Sequence, residues 1–471
     1  MTVKIDTSLR VLDVVAASVF TWSLSRLARS VRRRARATCL KGPPSESFIF
    51  GFPEVLMAAP DGPEVYEAWA SQYGPVFQVP SLLGTSRIVL CDPKAIAHFY
   101  ARDTTTYVVT PPAKFIMGIL VGRGSLLTSH GDVHKRLRKS VTPAFTVAAI
   151  RTLLPIFYDS VYKTKVAWDN ILENSTDGAI VEVQEWMNRI SLDTIGIAGF
   201  SHDFASLDGK KSAVTIVFEE IAKAQPCSAI AYIAILAHLF PALLRIPNPQ
   251  MRVTQMLNNS MGMISKELLE RTKKDNKNDA SGGQKDKSIM GLLFKAGNGG
   301  SEGHMSEEEV LTQMKLLLLA GYETTSICLT WALIELCRDQ EAQTKLREEL
   351  SQIHGDPPWD QLTNGLPYLD AVVHEILRLH APLTEAPRIA IEDDVVPLSD
   401  PVFTPSSPHP VTHLSIPRGT IVTVPIASIN RSTLFWGPDA KSIQALAMDR
   451  QGWHPETGKG VTGTSAHIDF C

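Results

Sequence analysis

Between Ser306 and Cys337 runs the longest helical pattern in the chain, and its middle, "LLLLAGYETTSICLTW" (316–331), breaks an apolar run with Gly321, Tyr322, Glu323, Thr324 and Thr325. Ser306 followed by Glu309 predicts a capping-box start. Periodic apolar positions then carry the helix to about Cys337, which at 1.5 Å per residue is roughly 45–50 Å, long enough to cross a whole domain. A chain built around such a helix is mainly α. Its interruption is informative because glycine weakens a helix and a carboxylate is costly to bury without a partner. Leu317, Ala320, Gly321, Thr324, Cys328 and Trp331 share one stripe at helical spacing. The centre of that stripe is a shallow groove, where something flat or bulky can approach the backbone. Thr324 can bond the carbonyl of Ala320, loosening the helix and admitting water, and Glu323 beside it can feed protons into the groove. Packing of two helices through small residues is the competing account of an Ala-Gly pair; the added Glu-Thr-Thr favours the groove.

The rest of the chain fits a mainly α class with a small β part. Residues 61–73 and 93–101 read as short helices flanking a hairpin, "PVFQVP" and "SRIVLCDP", broken near Gly84. From Gly131 to about Glu270 the pattern is helical, with loops near 174–179 and 202–211. Residues 272–304 read as a solvated excursion around a short helix, "SIMGLLFKAG". A helix at about 367–380 is stopped by Pro382, and a proline-rich turn region then leads to one more strand, "TIVTVPIA". There is no internal repeat. With 471 residues, 44% hydrophobic, the chain can bury a large core, and a net charge of -3 suggests neither disorder nor a polyanion such as nucleic acid as partner. The cysteines at 39, 91, 227, 328, 337 and 471 form no CxxC pair and suggest neither a disulfide framework nor a zinc ribbon.

The N-terminus is of another kind. Residues 11–25, "VLDVVAASVFTWSLS", are apolar but short and include Asp13. Arg26, Arg29, Arg32, Arg33, Arg34, Arg36 and the stiff "KGPP" follow. A spanning helix usually needs about 20 apolar residues. The arginines after it fit retention on the cytosolic side, so residues 1–40 are expected to form a single membrane anchor. A cleaved signal or an arginine-rich transit peptide are the alternatives.

Two further constellations carry chemistry. In "HEILRLHAP" (374–382), Glu375 and Arg378 stand at i and i+3 among leucines, spaced for a buried structural ion pair. In "GDVHKRLRKSVTPAF" (131–145), His134 and Arg138 at i and i+4 present two donors suited to carboxylates, with a solvated cationic face as the alternative. A zinc hydrolase is disfavoured: His374-Glu375 opens like His-Glu-x-x-His, but Arg378 stands where the second histidine is required, and Gly131 lies between His130 and His134. No metal ligands are assigned.

Together these motifs resemble the cytochrome P-450 superfamily of haem-thiolate monooxygenases. "AGYETT" looks like its oxygen-activation helix, "EILR" matches its Glu-x-x-Arg pair, and "GDVHKRLRKSVTPAF" looks like its haem-propionate helix, with His134 where many members have tryptophan. "PRIAIEDD" resembles the segment whose arginine, here Arg388, contacts a propionate, and "IPRGTIVTVPIASINRSTLFWGPDA" is similar to the stretch before the haem loop. The resemblance covers 45–442 and places residues 41–442 in one domain of that fold, C-terminally incomplete. It implies haem as cofactor, held by His134, Arg138, Ala320, Gly321 and Arg388, with Glu323 and Thr324 delivering protons. It also implies an NADPH-dependent flavoprotein reductase as partner, a lipophilic substrate admitted near 105–127, and an endoplasmic-reticulum membrane location with the catalytic domain cytosolic.

The family holds haem iron through a cysteine in a Phe-x-x-Gly-x-Arg-x-Cys-x-Gly loop. No cysteine of this sequence stands in that frame, and Cys471 in "SAHIDFC" is the last residue. After "GPDAKS" the family's Phe-x-Pro-x-Arg, whose arginine completes the Glu-Arg network, is replaced by "IQALAMDRQGWHPETGKG", and Arg450 comes too late. Residues 443–471 read as a tail without the family pattern, as expected of a reading-frame or splice error or a decayed gene ahead of genuine divergence. Two functional expectations follow: a haem-dependent monooxygenase hydroxylating a lipophilic small molecule with dioxygen, or a non-catalytic scaffold of the same shape without the axial cysteine.

Overall fold

The structure, a computed structural model, describes residues 51–81, 85–176, 178–212, 215–216, 249–278 and 305–443, and positions 14, 17, 20, 21, 25, 31–33, 35–45 and 47. The chain divides into two compact units, residues 1–108 with 386–425, and residues 109–385 with 426–471.

The first unit holds nearly all the β structure. Helices α1 (Phe52–Ala58) and α2 (Gly62–Tyr73) lead into β1 (Val76–Pro80) and β2 (Ser86–Leu90), which pair antiparallel as the hairpin pattern predicts. Helix α3 (Pro93–Ala101) is capped by Asp92, whose carboxylate accepts from the Ala95 amide at 2.9 Å. After β3 (Tyr107–Val109), the chain returns for β4 (Ala386–Ala390), β5 (Asp394–Val402), β6 (Val411–Ile416) and β7 (Ile421–Val424). The main sheet has the order β1-β2-β7-β4-β3, with β7 parallel to β2 and antiparallel to β4, while β5 and β6 form a separate antiparallel pair. Phe77, Val89, Phe99, Tyr107, Val396, Leu414 and Val422 are fully buried in this unit.

The stretch read as proline-rich turns, 382–416, therefore contains three strands. A two-stranded sheet leaves each strand a free edge where a missing N–H is tolerated. The register shifts between Pro397 and Val402, across Pro401. The basic segment after the expected anchor also has tertiary partners in this unit: Arg33 Nη1 donates to the Gly419 carbonyl at 2.5 Å, Arg36 pairs with Asp393, and Thr38 and Ser415 exchange hydrogen bonds. Most of the apolar stretch 11–25 itself lies outside the described residues.

The second unit is helical: α4 (Pro111–Leu120), α5 (Gly131–Val141), a 3-10 turn, α6 (Val147–Arg151), α7 (Leu154–Glu173), α8 (Val183–Phe200), α9 (Pro249–Asn278), α10 (Glu307–Arg338), α11 (Gln340–Ser351), α12 (Trp359–Asn364), α13 (Pro367–Leu379), α14 (Ile426–Asn430) and α15 (Thr433–Trp436). Its core gathers Leu137, Leu192, Met261, Met314, Leu318 and Tyr322 around α10. The loops expected near 174–179 and 202–211 bracket α8. Helix α9 continues past the expected break at 272, because "RTKKDNKN" has neither glycine nor proline and its cations are good helix formers. The short helix expected within 288–297 lies outside the described residues.

Candidate active site

Helix α10 begins with the expected capping box: Ser306 Oγ accepts from the Glu309 amide at 3.2 Å, and Glu309 Oε2 accepts from the Ser306 amide at 2.9 Å. Val310, Met314, Leu318, Tyr322, Ser326 and Thr330 are buried, one residue in four, forming the ridge that faces the core. The stripe read from the sequence is a different one. Ala320 and Thr324 on it are exposed, as are Glu323 and Thr325, while Leu317, Gly321, Cys328 and Trp331 are half-buried. An open patch thus sits midway along a helix whose opposite face is packed.

The glycine has a reason that its sequence context did not give. A Cβ at Gly321 would lie 2.8 Å from Ile195 Cγ1 of α8, so the absence of a side chain lets α8 approach α10 closely. From one turn earlier on α8, Ser191 Oγ donates towards the carbonyls of Gly321 at 2.7 Å and Tyr322 at 2.8 Å. On α10 itself Thr324 Oγ1 donates to the Ala320 carbonyl at 2.6 Å, as its spacing predicts, and Ser326 Oγ donates to the Glu323 carbonyl at 2.9 Å. Ala320, Thr324 and Glu323 therefore share the open patch, while Gly321 serves the packed side of the same turn.

Helix α5 carries a cluster of cations, Lys135, Arg136, Arg138 and Lys139. Leu137, Ser140 and Val141 are buried, which leaves Arg138 exposed and His134 half-buried one turn before it. Arg138 makes no ion pair among the described residues. Arg136, which the sequence reading passed over, pairs with Glu309 and so ties α5 to the first turn of α10. That guanidinium, together with the Ser306 amide, holds the Glu309 carboxyl below its ordinary value despite partial burial. Gln313 is a second missed residue: fully buried on α10, it accepts from the Leu126 amide at 2.9 Å and donates to the Gly124 carbonyl at 3.3 Å. A lone glutamine within an apolar run was its only signal.

Arg388 belongs to the first unit, where its Nε donates to Asp103 Oδ1 at 2.9 Å and its Nη2 to Asp103 Oδ2 at 3.3 Å. Glu375 and Arg378 of α13 pair as their spacing predicts, with side chains only 1% and 3% exposed. Nε and Nη2 of Arg378 donate to the two Glu375 oxygens at 2.7 and 2.8 Å. Nη1 donates to the carbonyls of Asn430 and Ala440, both at 2.6 Å, and Nη2 also reaches Ser442 at 3.1 Å. All five guanidinium N–H groups are thus used. The Trp436 ring lies 4.8 Å from the guanidinium carbon. Where a later arginine was expected to complete this network, backbone carbonyls of 430–442 saturate the Arg378 fork.

The haem that the motifs imply calls for an open helix face, cations for its carboxylates and a thiolate for its iron. In the second unit α10 has an open patch at Ala320, Glu323 and Thr324, and α5 carries Arg138 and His134. The described cysteines do not supply the third. Cys328 packs on the α13 cluster of Val372 and Ile376, and burial raises its thiol; Cys91 is fully buried at the end of β2, with its thiol pushed up to about 12 by burial and by Asp92. Both shifts oppose thiolate formation. Cys39 and Cys337 are exposed, and Cys227 and Cys471 lie outside the described residues. Of the residues weighed for zinc, His374 Nδ1 bonds the Asp370 carbonyl at 2.9 Å and Arg378 is occupied as above. Among the described residues no three His, Cys, Asp or Glu side chains are grouped to hold a metal.

A sequence model of the cytochrome P-450 family matches residues 42–444. Two proteins from Ampulloclitocybe clavipes, the cytochrome P-450 monooxygenases claQ and claP, are each 52% identical to this chain over 434 residues, 92% of this chain and 81% of the relative. Cytochrome P-450 monooxygenase 205 of Postia placenta is 32% identical over 483 residues, 99% of this chain and 85% of the relative.

Proposed function

The chain belongs to the cytochrome P-450 family of haem-dependent monooxygenases, and from that premise we propose that it hydroxylates a lipophilic small molecule, using dioxygen and electrons from an NADPH-dependent flavoprotein reductase. The open patch of α10, with its threonine hydroxyl on the Ala320 carbonyl, is the observation that carries this reading. Haem, when bound, supplies the redox chemistry that activates dioxygen. The chain's own residues hold it and move protons. Ala320, with no side chain beyond Cβ, leaves room beside the helix. Arg138 and His134 offer donors to carboxylates. Thr324 holds its proton on the Ala320 carbonyl and can turn it outward. Glu323, exposed one residue away, is the group that exchanges protons with solvent. For location, we propose that residues 11–25 anchor the chain in the endoplasmic-reticulum membrane, with the folded units on the cytosolic side.

Reconstitution of the full chain with haemin tests the function. In reduced, carbon-monoxide-treated protein a Soret band typical of a thiolate ligand upholds the proposal, and failure to take up haem overturns it. In reconstituted protein supplied with reductase, Thr324→Ala is expected to lower product formed per NADPH consumed by roughly tenfold or more, in line with the loss of a positioned proton donor. Unchanged coupling removes Thr324 from proton delivery. The packing of Cys328 against α13 and the burial of Cys91 favour a second reading, a scaffold that binds lipophilic ligands without turnover. Ligand binding without haem uptake is the result that selects it.

A further inference from the structure

In the helical unit, buried hydroxyls mostly bond back into their own helix. Ser140 donates to Arg136, Ser160 to Ile156, Thr164 to Ser160 and Thr330 to Ser326, each four residues earlier and at 2.8–3.0 Å. Ser191 does otherwise. Its side chain is buried, and its hydroxyl crosses to α10, where it lies 2.7 and 2.8 Å from the carbonyls of Gly321 and Tyr322. Those two carbonyls are flanked by two more that also take a side-chain hydroxyl, Ala320 from Thr324 and Glu323 from Ser326. Four consecutive carbonyls of one helix turn, 320–323, are thus shared between the helical ladder and side chains.

We propose that Ser191 is a positioning residue for the Glu323–Thr324 patch. Its hydroxyl draws on the carbonyls that should bond the Thr325 and Ser326 amides, and so softens the turn on which Glu323 and Thr324 sit. The softening is asymmetric by construction. Ser191 acts from the packed side, where Ile195 fills the place of a Gly321 side chain, whereas Glu323 and Thr324 occupy the open side. A side chain that competes for the i−4 carbonyls weakens those ladder bonds and bends the helix. The Thr324 hydroxyl then needs less rearrangement to leave the Ala320 carbonyl and face outward. The role in proton delivery rests on the monooxygenase reading; the softening of the helix does not.

Hydrogen–deuterium exchange on the full chain separates the two. In Ser191→Ala the Gly321 and Tyr322 carbonyls revert to the ladder alone, and the Thr325 and Ser326 amides are expected to exchange roughly threefold or more slowly, the scale of one modest hydrogen bond. If the hydroxyl were only packing glue, its removal would leave those amides unchanged or speed exchange along α10, and either result overturns the proposal. Should Ser191→Ala not accumulate folded, Ser191→Thr carries the test in reverse: with the hydroxyl kept, wild-type exchange is expected, and altered exchange overturns the proposal. In haem-reconstituted protein, Ser191→Ala is also expected to lower product per NADPH without lowering haem content. Slowed exchange in protein that takes up no haem upholds the softening and sinks the monooxygenase reading. Unchanged exchange in protein with a normal thiolate spectrum does the converse.

Discussion

Arg378 commits all five of its guanidinium donors. A buried guanidinium is costly unless its charge is paired and each N–H is used, and here Glu375 meets the first condition and three carbonyls complete the second. Those carbonyls stand 52, 62 and 64 residues further along the chain, so the arginine fixes the path of 430–442 as well as neutralising Glu375. Arg378→Leu strands the Glu375 carboxylate and three acceptors, and is expected to cost about 3–5 kcal/mol of stability. Urea denaturation of the full chain measures it; a loss below about 1 kcal/mol places the pair in the class of surface bridges. The pairing of Glu375 with Arg378 was legible because i and i+3 face each other on any helix. The carbonyl partners were not, because backbone carbonyls carry no sequence signal and only the folded path brings them near.

At the scale of elements, α10 shows how far a local pattern reaches. Its start and end follow from Ser306, Glu309 and the apolar period, all of which act within one or two turns. Ser306→Ala removes the cap acceptor and is expected to cost about 1 kcal/mol. Glu309→Ala is expected to cost more, since it releases both the Ser306 amide and Arg136. Thermal unfolding of the two variants gives the order, and equal losses argue that the Arg136 pair contributes nothing. The face α10 buries was not legible. Leu317, Ala320, Gly321 and Thr324 make a stripe by spacing, but Val310, Met314, Leu318 and Tyr322 make another, and periodicity alone does not say which meets the neighbours. The strands between 386 and 416 were missed for a related reason. Pro397 and Pro401 read as breakers in isolation and become harmless where the free edge of a two-stranded sheet or the register shift accommodates them.

On the scale of the whole molecule, the first unit is assembled from two segments far apart in the chain, before 109 and 386–425, and Asp394 is one of its ties. Its buried carboxylate accepts from Tyr107 Oη at 2.8 Å, Arg102 Nη1 at 3.0 Å and its neighbour's amide at 2.9 Å, and faces His98 Nε2 at 2.9 Å. Burial alone would raise its pKa, but the bonds from His98, Tyr107 and the Val395 amide outweigh this and hold it below the ordinary value. A depressed carboxylate pKa stabilises the fold above the unfolded value, about 3.9, and that contribution is lost as pH falls through the folded value. Urea midpoints should therefore fall with acidification below about pH 4 in the wild type. Asp394→Asn should start lower near neutrality and show a flatter acid limb; an acid limb as steep as the wild type's removes Asp394 as a source of it. The sequence by itself determined the mainly helical class, the ends of α10, the Glu375–Arg378 pair, the Thr324 bond to Ala320 and the family, since these depend on residues within a few positions of one another or on motifs in fixed order. Only the tertiary structure decided that Gly321 admits Ile195, that Ser191 reaches the carbonyls beside the patch, that Arg136 clamps α5 to α10 and that distant carbonyls complete the Arg378 fork. Local rules govern which hydrogen bonds a segment can make within itself; the remaining donors and acceptors find partners only where the fold brings separate segments together.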